Sequence, residues 1–581
     1  MRSSFSHEVW SIDTEWGFLP GHVDEESAWQ PVVLCAVGLH TRRRLHFWER
    51  DERLARFFAD HSGDVFAAHY AVAEMKFLLR LGVPIPQTWF DTFVAWRHKN
   101  NALGRLEAGL SYALHALGLP HLAPTVKKEL QTKILNLDFD ADDPSEQQKI
   151  IDYCFSDCDG CLALYNQLNT PIVQGKMAHW TPYLKAVARM ELRGIPFDGT
   201  TYGIVQKQKG LIRASVTNNL NRTFPIYQEG KFRKDQILKW CASAAIRWPT
   251  KRSDGGKACY HSMEKETFKE MEGRHPFIGK VREVRKTLNS FTQQSLTVDR
   301  NLMRHFFETN VFRSVTSRNQ PKNFVFNGPK WLRYLIVPES PDHVLVYVDY
   351  TAQEIGIAAA LSNDQHMRET YESEDCHMAF AIRAGAAPHD ATKTSHPVIR
   401  KRYKAVNLGV QYGQTEFGIC RKLGIPLGEA KALLSEHRSL FSTFWDWSED
   451  LVQGSYDRGW IVTPCGWPSR VSPSSNERSW MNWPMQTTGS DIMRLTVTYL
   501  DQQNVQILAP VHDGFLLTCR RHELDDLNAA VETACKTAID QVIPGFPLRW
   551  DTEVHEVRFE DEDGLPIWNL IQDELAAIDE P

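Results

Sequence analysis

Residues 344–350 read VLVYVDY, an apolar run rich in β-branched residues that ends in a carboxylate, Asp349. Such a run predicts a buried β-strand. Further along, residues 507–519 predict two strands around His512-Asp513-Gly514, a hairpin turn signal. Nothing in the neighbouring residues requires an acid at either apolar strand end. Asp349 and Asp513 are therefore expected to serve function rather than folding.

Between the two aspartates, residues 400–413 read RKRYKAVNLGVQYG. Arg400, Lys404, Leu408 and Tyr412 recur every four residues, so on a helix they form one slowly turning stripe about 18 Å long. The stripe begins cationic and ends apolar and aromatic, which suits a nucleoside triphosphate with its phosphates at one end and its base at the other. An ordinary amphipathic helix would explain Leu408 but not two cations in line with it.

A second set of acids begins near the N-terminus, in SIDTE at residues 11–15. Asp13 and Glu15 are two apart at the end of a predicted strand, so they face the same side and can jointly hold a divalent cation. Glu74 lies on a predicted helix, and Tyr153 and Asp157 are adjacent on one helix face. Four carboxylates and a tyrosine suit phosphodiester hydrolysis with two metal ions.

The composition is that of a folded chain with several domains. It has 581 residues, of which 42% are hydrophobic and 24% are charged, with a formal net charge of -6. These values exclude disordered, collagen-like and coiled-coil chains. No apolar run approaches the roughly 20 residues that span a bilayer, and the first residues lack a signal peptide. A soluble cytoplasmic protein without a membrane partner is expected.

Charge and cysteines add local expectations. Residues 280–333 hold eleven lysines and arginines against three acids, which suits a phosphate backbone but also fits a solvated basic face. The eleven cysteines of the chain are expected to be reduced. Cys154, Cys158 and Cys161 share one helix face and are interpreted as core residues rather than zinc ligands.

The coarse pattern predicts strands at 9–14, 31–39 and 45–48, followed by mostly helical structure over 64–165. A helix over 177–194 ends at Arg193-Gly194. Residues 200–310 are predicted to be charged and helical with a glycine-rich loop at 254–256, and residues 352–460 are predicted to be helical again.

Residues 176–581 resemble the family A DNA polymerases, the group of bacterial DNA polymerase I and its Klenow-type fragment. Residues 349–354 (DYTAQE) are similar to the first palm motif, usually DYSQIE, and residues 400–413 to the fingers helix. Residues 512–514 (HDG) resemble the last palm motif, usually HDE. Three further stretches agree: Asp375-Cys376-His377, the RxxxNxPxQ segment of Arg478 to Gln486, and Arg313 with Thr316-Ser317 in a degenerate TGRxSS region.

The resemblance implies a set of site residues. Asp349 and Asp513, with Tyr350, would hold two Mg²⁺ ions, for which Mn²⁺ is a substitute. Residues at the nucleotide would be Glu354, His377, Arg400, Lys404, Leu408 and Tyr412. Lys404 would also donate a proton to pyrophosphate, and Glu354 against Tyr412 would exclude a ribose 2′-hydroxyl. Residues at the primer–template would be Arg313, Arg478, Asn482, Gln486 and His512.

Residues 5–170 resemble a DEDD-type 3′→5′ exonuclease with tyrosine in its third motif. Asp13, Glu15, Glu74 and Asp157 would hold two further metal ions, and Tyr153 would orient the nucleophile. Asp91-Thr92 resembles a segment between the second and third motifs. Two residues depart from the pattern: Glu74 stands where the family has Asp, and Tyr70 where it usually has Asn. A weakened or inactive exonuclease is therefore the alternative.

The resemblance implies an α/β, ribonuclease H-like exonuclease domain over 1–175 and an α+β right-hand polymerase over 176–581. The thumb would cover about 200–310, the fingers about 376–480, and the palm about 311–375 and 481–581. Two palm and fingers positions depart from the pattern: Leu408 replaces Phe or Tyr, and Gly514 replaces Glu. Dideoxynucleotides should be used poorly, and the local charge beside Asp513 should be reduced.

The function expected is DNA replication by a proofreading DNA polymerase that acts on primer–template DNA and dNTPs. A monomeric, phage-type enzyme in the host cytoplasm is expected, with a helicase, primase or single-strand binding protein as partners. The rivals are a single-subunit RNA polymerase, an exonuclease whose C-terminal half only clamps DNA, and a polymerase with a purely structural N-terminal domain.

Overall fold

The computed structural model describes residues 7–22, 25–103, 107–252, 259–291, 296–472 and 477–579. The predicted glycine-rich loop at 254–256 lies outside these residues. The chain forms two compact units. The first combines Met1–Gly194, Phe307–Lys322 and Asp342–Val554, and the second combines Ile195–Phe306, Asn323–Pro341 and His555–Pro581.

The first unit begins with a five-stranded sheet in the order β3-β2-β1-β4-β5. The strands β1 to β3 are antiparallel neighbours, whereas β4 and β5 run parallel to β1. The strands are β1 Val9–Phe18, β2 Trp29–Gly38, β3 Arg44–Trp48, β4 Val65–Ala68 and β5 Thr88–Asp91. The helices are α1 Arg53–Asp60, α2 Val72–Arg80, α3 Thr92–Asn100, α4 Leu110–Ala116, α5 Pro124–Leu135, α6 Pro144–Leu168 and α7 Pro171–Arg193.

Two features here differ from the sequence expectation. The region 64–165, predicted to be mostly helical, contains the short strands β4 and β5. Both are almost wholly buried, so they lack the alternation of apolar and polar residues that marks a half-exposed strand. In addition, helix α7 runs through the boundary expected at 175/176. It packs against α2 and β5 and also against later elements of the same unit.

The second unit holds four consecutive helices and several strands of two or three residues, and the C-terminal helix α21 Leu565–Asp579 also belongs to it. These helices are α8 Gly199–Asn221, α9 Lys234–Ser243, α10 Lys265–Met271 and α11 Pro276–Ser290. The strands are β6 Ile195–Pro196, β7 Tyr227–Gln228, β8 Lys231–Phe232, β9 Thr250–Arg252, β10 Cys259–His261, β11 Thr297–Asp299 and β12 Arg304–Phe306. Its own apolar core includes Trp240, Phe268 and Ile278.

The remainder of the first unit is built on a four-stranded sheet in the order β16-β17-β13-β18. Its strands and an outlying hairpin are β13 His343–Tyr350, β14 Trp460–Val462, β15 Pro468–Arg470, β16 Gln506–Val511, β17 Gly514–Arg520 and β18 Trp550–His555. The helices are α12 Gln353–Ser362, α13 Gln365–Glu372, α14 Cys376–Arg383, α15 Pro397–Gln411, α16 Glu416–Leu423, α17 Leu427–Leu440, α18 Ser442–Arg458, α19 Glu477–Gln502 and α20 Leu524–Val542. None of the helices in the described ranges combines the length and apolarity needed to cross a membrane.

Candidate active sites

The two predicted palm aspartates meet at one edge of the four-stranded sheet. Strands β13 and β17 pair so that Asp349 lies opposite Gly514, and the backbone N–H of Tyr350 donates to the carbonyl oxygen of Asp513 at 3.4 Å. Burial, and then the negative charge of Asp513, raise the pKa of Asp349 to about 6. The strand pairing thus places two acids 164 residues apart in sequence (513 − 349) side by side, where a cation would relieve their repulsion.

The position after Asp513 has no room for a side chain. A Cβ atom added to Gly514 would lie 2.2 Å from the carbonyl oxygen of Val348 and 3.0 Å from Cα of Asp349. Both neighbours are backbone atoms of β13, so they cannot swing aside. The sequence departure at Gly514 therefore has a structural reason: in this sheet, a glutamate at that position would push two paired strands apart.

A wall of cations faces Asp349 across a cleft of about 1460 Å³. Helix α15 supplies Arg400, Lys404 and Leu408 to this cleft, as its four-residue periodicity predicted. Arg400 forms an ion pair with Asp375. His377 also lines the cleft; it is buried, and burial lowers its pKa to about 4, so it is neutral at physiological pH. Arg400 and Lys404 therefore suit anionic phosphates, and Asp349 suits the counterions of those phosphates.

Glu354 lies at the centre of a hydrogen-bond network beside a second cleft of about 830 Å³. Its Oε1 accepts from the hydroxyl of Tyr412 at 3.0 Å and from Arg318 at 3.4 Å, and its Oε2 accepts from Asn482 at 3.4 Å. Asp349, Asp513 and Leu408 also line this cleft. The network fixes the Glu354 carboxylate close to both palm acids.

The first turns of α19 bring the predicted RxxxNxPxQ residues to the same place. Arg478 lines the second cleft, Asn482 donates to Glu354, and Gln486 forms a side-chain hydrogen bond with Tyr412. His512 is exposed at the hairpin tip with φ of 51°.

Arg313 is placed elsewhere. It is exposed, donates to Asn310 and lines a separate cavity with Trp16 and Tyr70. Arg318, five residues on, instead donates from Nη2 to Oδ1 of Asp513 at 3.1 Å. The degenerate TGRxSS stretch contains two arginines, and Arg318 is the one that contacts a palm acid.

Three of the four predicted N-terminal acids form a compact group. One ligand oxygen each from Asp13, Glu15 and Asp157 lies within 4.8 Å of the others. Burial raises the pKa of Asp13 and of Glu15 well above the usual carboxyl range. Asp13 Oδ2 is buried and has no hydrogen-bond partner among the described residues. Three crowded carboxylates, one of which has a buried oxygen without a partner in the described residues, fit a hard divalent cation.

Glu74 lies outside that 4.8 Å group, although its charge still contributes to raising the pKa of Asp13. It is 4% exposed, and its Oε2 finds no hydrogen-bond partner in the described part of the chain. The hydroxyl of Tyr153 is buried and similarly without a partner there. These orphaned atoms mark the edges of the same polar centre, since a buried unpaired oxygen is costly unless a ligand completes it.

Lys127 of α5 was not foreseen from the sequence. Its ammonium donates to Asp157 Oδ2 at 2.5 Å, and both side chains are largely buried. It lies over the ring of Tyr153, 5.7 Å from the ring centroid. No local pattern distinguishes this lysine from others on a predicted surface helix, so only the folded arrangement identifies it.

The loop before Glu74 explains two other sequence features. Asp91 caps α3 and also accepts from the backbone N–H groups of Tyr70 and Ala71, at 3.2 and 2.9 Å. Asp91 therefore anchors this loop. Tyr70 has φ of 75°, a left-handed conformation that asparagine adopts far more readily than tyrosine. The departure at Tyr70 thus carries backbone strain.

Comparison with known proteins identifies relatives of the C-terminal part. A family model described as DNA polymerase family A matches residues 246–556. DNA polymerase I of Streptococcus pneumoniae serotype 4 is 30% identical over 232 residues, which is 37% of this chain and 26% of that protein. The thermostable DNA polymerase I of Thermus thermophilus is 27% identical over 296 residues, which is 46% of this chain and 35% of that protein. The chain thus aligns with well under half of the length of these relatives.

One solved structure resembles the fold along nearly the whole chain. It is the POL domain of Pol1 from M. smegmatis, in complex with DNA primer-template and dNTP, and it matches with a TM-score of 0.73 at 21% identity over 96% of each chain. At that identity the likeness describes the fold alone. The predicted resemblance to the family A DNA polymerases is confirmed by the family match over residues 246–556, whereas the exonuclease and the phage-type origin stay predictions.

Proposed function

The chain belongs to DNA polymerase family A, and on that basis we propose that it is a template-directed DNA polymerase that adds dNTPs to a primer 3′-hydroxyl. The observation that carries the proposal is the meeting of Asp349 and Asp513 at one sheet edge, where Asp349 lines the same cleft as Arg400 and Lys404. A pair of acids beside a cleft that is also lined by two cations suits a substrate that is itself a polyanion with bound counterions.

The palm carboxylates fit Mg²⁺, with Mn²⁺ as a substitute, because they supply oxygen donors whose mutual repulsion a divalent cation relieves. Asp349 and Asp513 would hold it through their carboxylates, and Tyr350 would do so through its backbone carbonyl, because its hydroxyl is buried against Thr496. When bound, such ions lower the pKa of the primer hydroxyl and offset charge on the triphosphate. Arg318, which donates to Asp513 at 3.1 Å, keeps that carboxylate in place beforehand.

The triphosphate is bound by the cationic wall. Arg400 and Lys404 neutralise phosphate oxygens, and Lys404 donates a proton to the departing pyrophosphate. His377 is neutral, so it contributes an N–H donor rather than a charge. Leu408 is the last residue of this wall and contacts the sugar.

Sugar selection rests on Glu354. The hydroxyl of Tyr412 donates to it at 3.0 Å, which closes the space beneath C2′ of a bound nucleotide. A ribose 2′-hydroxyl would clash there or lose its hydrogen bonds, so dNTPs are preferred. This selection argues against the RNA polymerase alternative. The primer–template end is contacted by Arg318, Arg478, Asn482 and Gln486.

A second activity, 3′→5′ exonuclease, is supported by the N-terminal centre. Its three crowded carboxylates fit a divalent cation, and the unpaired Glu74 and Tyr153 oxygens border them. The additional methylene of Glu74 relative to aspartate, and the ammonium of Lys127 on Asp157, favour a rate below that of an enzyme with aspartate at the position of Glu74. Misplacement by about 1 Å can cost about 100-fold.

The decisive experiment compares two full-length variants on one labelled primer–template. Asp349→Ala should abolish extension with dNTPs and leave degradation without dNTPs intact. Asp13→Ala with Glu15→Ala should do the reverse, and chelation of Mg²⁺ should stop both. Extension by Asp349→Ala at the wild-type rate would refute the polymerase assignment. Degradation that persists in the N-terminal double variant would refute the exonuclease assignment.

A further inference from the structure

Three neighbouring strands of the palm sheet carry an acid at the same edge. Asp513 immediately precedes β17, Asp349 is the last residue but one of β13, and Asp551 is the second residue of β18. The sheet order places β13 between β17 and β18, and neighbouring strands are about 4.8 Å apart. Asp349 is therefore flanked by a carboxylate on each side, although only Asp513 was foreseen from the sequence.

The side chain of Asp551 is held towards the cleft. The Thr351 hydroxyl donates to its Oδ2 at 2.9 Å, and the backbone N–H of Thr351 donates to the carbonyl of Arg549 at 2.9 Å, which joins the end of β13 to the start of β18. Asp551 lines the cleft together with Asp349, Arg400 and Lys404. Within the described residues it forms no salt bridge with a lysine or arginine.

The residue that follows Asp513, Gly514, cannot be replaced by an acid. Any side chain at Gly514 would collide with the carbonyl oxygen of Val348 at 2.2 Å. On the other flank of Asp349, strand β18 supplies Asp551 to the same cleft. The negative charge of Asp551 acts on Asp349 in the same sense as that of Asp513.

We propose that Asp551 is a third carboxylate of the polymerase centre, which helps to hold a divalent cation at Asp349 from the side opposite Asp513. The inference rests on the proposed polymerase function. Oδ2 is committed to Thr351, so Oδ1 is the oxygen available to the cation or to one of its waters. Mg²⁺ keeps several waters and needs few protein oxygens, so Asp551 can act on it through one of those waters.

Glu553 provides a matched control. It is two residues further along β18 and so faces the same side of the sheet. Its charge also acts on Asp349, and it is exposed like Asp551, but it does not line the cleft. If Asp551 acted only through the electrostatic field of its charge, removal of the Glu553 charge would weaken cation binding in the same way.

The test measures Mn²⁺ binding by electron paramagnetic resonance on the full chain without DNA or nucleotide. All proteins carry Asp13→Ala and Glu15→Ala, which remove two of the N-terminal carboxylates. A separate variant that also carries Asp349→Asn shows which part of the Mn²⁺ binding belongs to the palm site. Asp551→Asn should raise the dissociation constant of the palm site about tenfold, the range seen when supporting groups of a metal site are lost. Glu553→Gln should change the dissociation constant less than about twofold. Asp551→Glu should restore most of the affinity that Asp551→Asn loses.

Unchanged binding in Asp551→Asn would overturn the inference, as would an equal loss in Glu553→Gln. Mn²⁺ binding that Asp349→Asn does not reduce would also overturn it, because Asp551 would then have no palm cation to hold. As a second readout, Asp551→Asn should raise the Mg²⁺ concentration for half-maximal primer extension, and Glu553→Gln should not. Failure of the proposed function has a different signature, namely primer extension that survives Asp349→Ala.

Discussion

At the residue scale, Glu354 shows how one carboxylate can serve selection rather than catalysis. It receives hydrogen bonds from Tyr412, Arg318 and Asn482, so its position is fixed before any nucleotide arrives. Glu354→Ala should raise the ratio of ribonucleotide to deoxynucleotide incorporation at least about tenfold, equivalent to about 1.4 kcal/mol, because the space beneath C2′ opens.

Single-nucleotide extension with rNTP and dNTP in parallel measures this ratio. Glu436→Ala is the control, since Glu436 also accepts a tyrosine hydroxyl, that of Tyr403 at 2.8 Å, but does not line either cleft. Equal discrimination in Glu354→Ala and wild type would remove Glu354 from sugar selection.

His377 makes stability depend on pH. Burial lowers its pKa from 6.5 to about 4, so the unfolded chain binds a proton below pH 6.5 that the folded chain takes up only near pH 4. The folded state therefore loses stability as pH falls from 6.5 towards 4. At pH 5 the loss from this residue is about 2 kcal/mol relative to pH 7.

Urea unfolding at pH 7 and pH 5 tests this dependence. His377→Gln should lose about 2 kcal/mol less than wild type over that interval, whereas a glutamine at exposed His522 should change nothing. Equal losses in wild type and His377→Gln would show that His377 is protonated in the folded protein at pH 5.

The residues also mark where sequence reasoning ended. Asp349, Asp513, Glu354 and Tyr412 could be predicted as a group because each stands in a recognisable local pattern. Arg318, Lys127 and Asp551 could not, since their roles depend on partners 195, 30 and 200 residues away. Local spacing carries no information about such long-range contacts.

At the element scale, the pairing of β13 with β17 determines whether the palm acids meet. Gly514→Ala should destabilise the protein by about 1–3 kcal/mol, because its Cβ would collide with backbone rather than with a flexible side chain. The free energy of unfolding in urea measures the effect.

Gly175→Ala is the matched substitution. Gly175 lies exposed in helix α7, and an added Cβ would meet nothing within 4 Å, so alanine should stabilise by up to about 1 kcal/mol. If Gly514→Ala were equally tolerated, the close approach of the two strands would not be the reason for glycine there.

Elements with a strong local signal were predicted well. Strand β13 begins one residue before the expected 344–350, and helix α15 spans Pro397–Gln411 against an expected 400–413. Strands β4 and β5 were missed because four buried residues carry no periodicity. Helix α7 was expected from 177 and begins at Pro171, since Thr170 caps it there.

At the scale of the whole molecule, one chain carrying both activities should consume dNTP without net synthesis. On a primer–template supplied with only the next correct dNTP, wild type should add the nucleotide, remove it and repeat, converting dNTP to dNMP at constant primer length. Asp349→Ala and the Asp13→Ala, Glu15→Ala pair should each abolish release of dNMP made from the supplied dNTP, because the cycle needs both sites.

Thin-layer chromatography of labelled dNTP follows this turnover. The mixture of the two variants at equal concentration is the informative control: it should restore turnover only as fast as primer ends are exchanged between molecules. Turnover by the N-terminal double variant alone would mean that the dNMP does not come from the predicted exonuclease.

Helix α7 has a consequence for how such a protein can change over generations. It packs against α2 and β5 and also against α19 and β16, so the elements around both candidate centres depend on the same helix. A deletion of the N-terminal region would expose the surface of α7 that α2 and β5 cover. A lineage that abandons degradation is therefore expected to keep the region as a scaffold while substitutions accumulate at its acids.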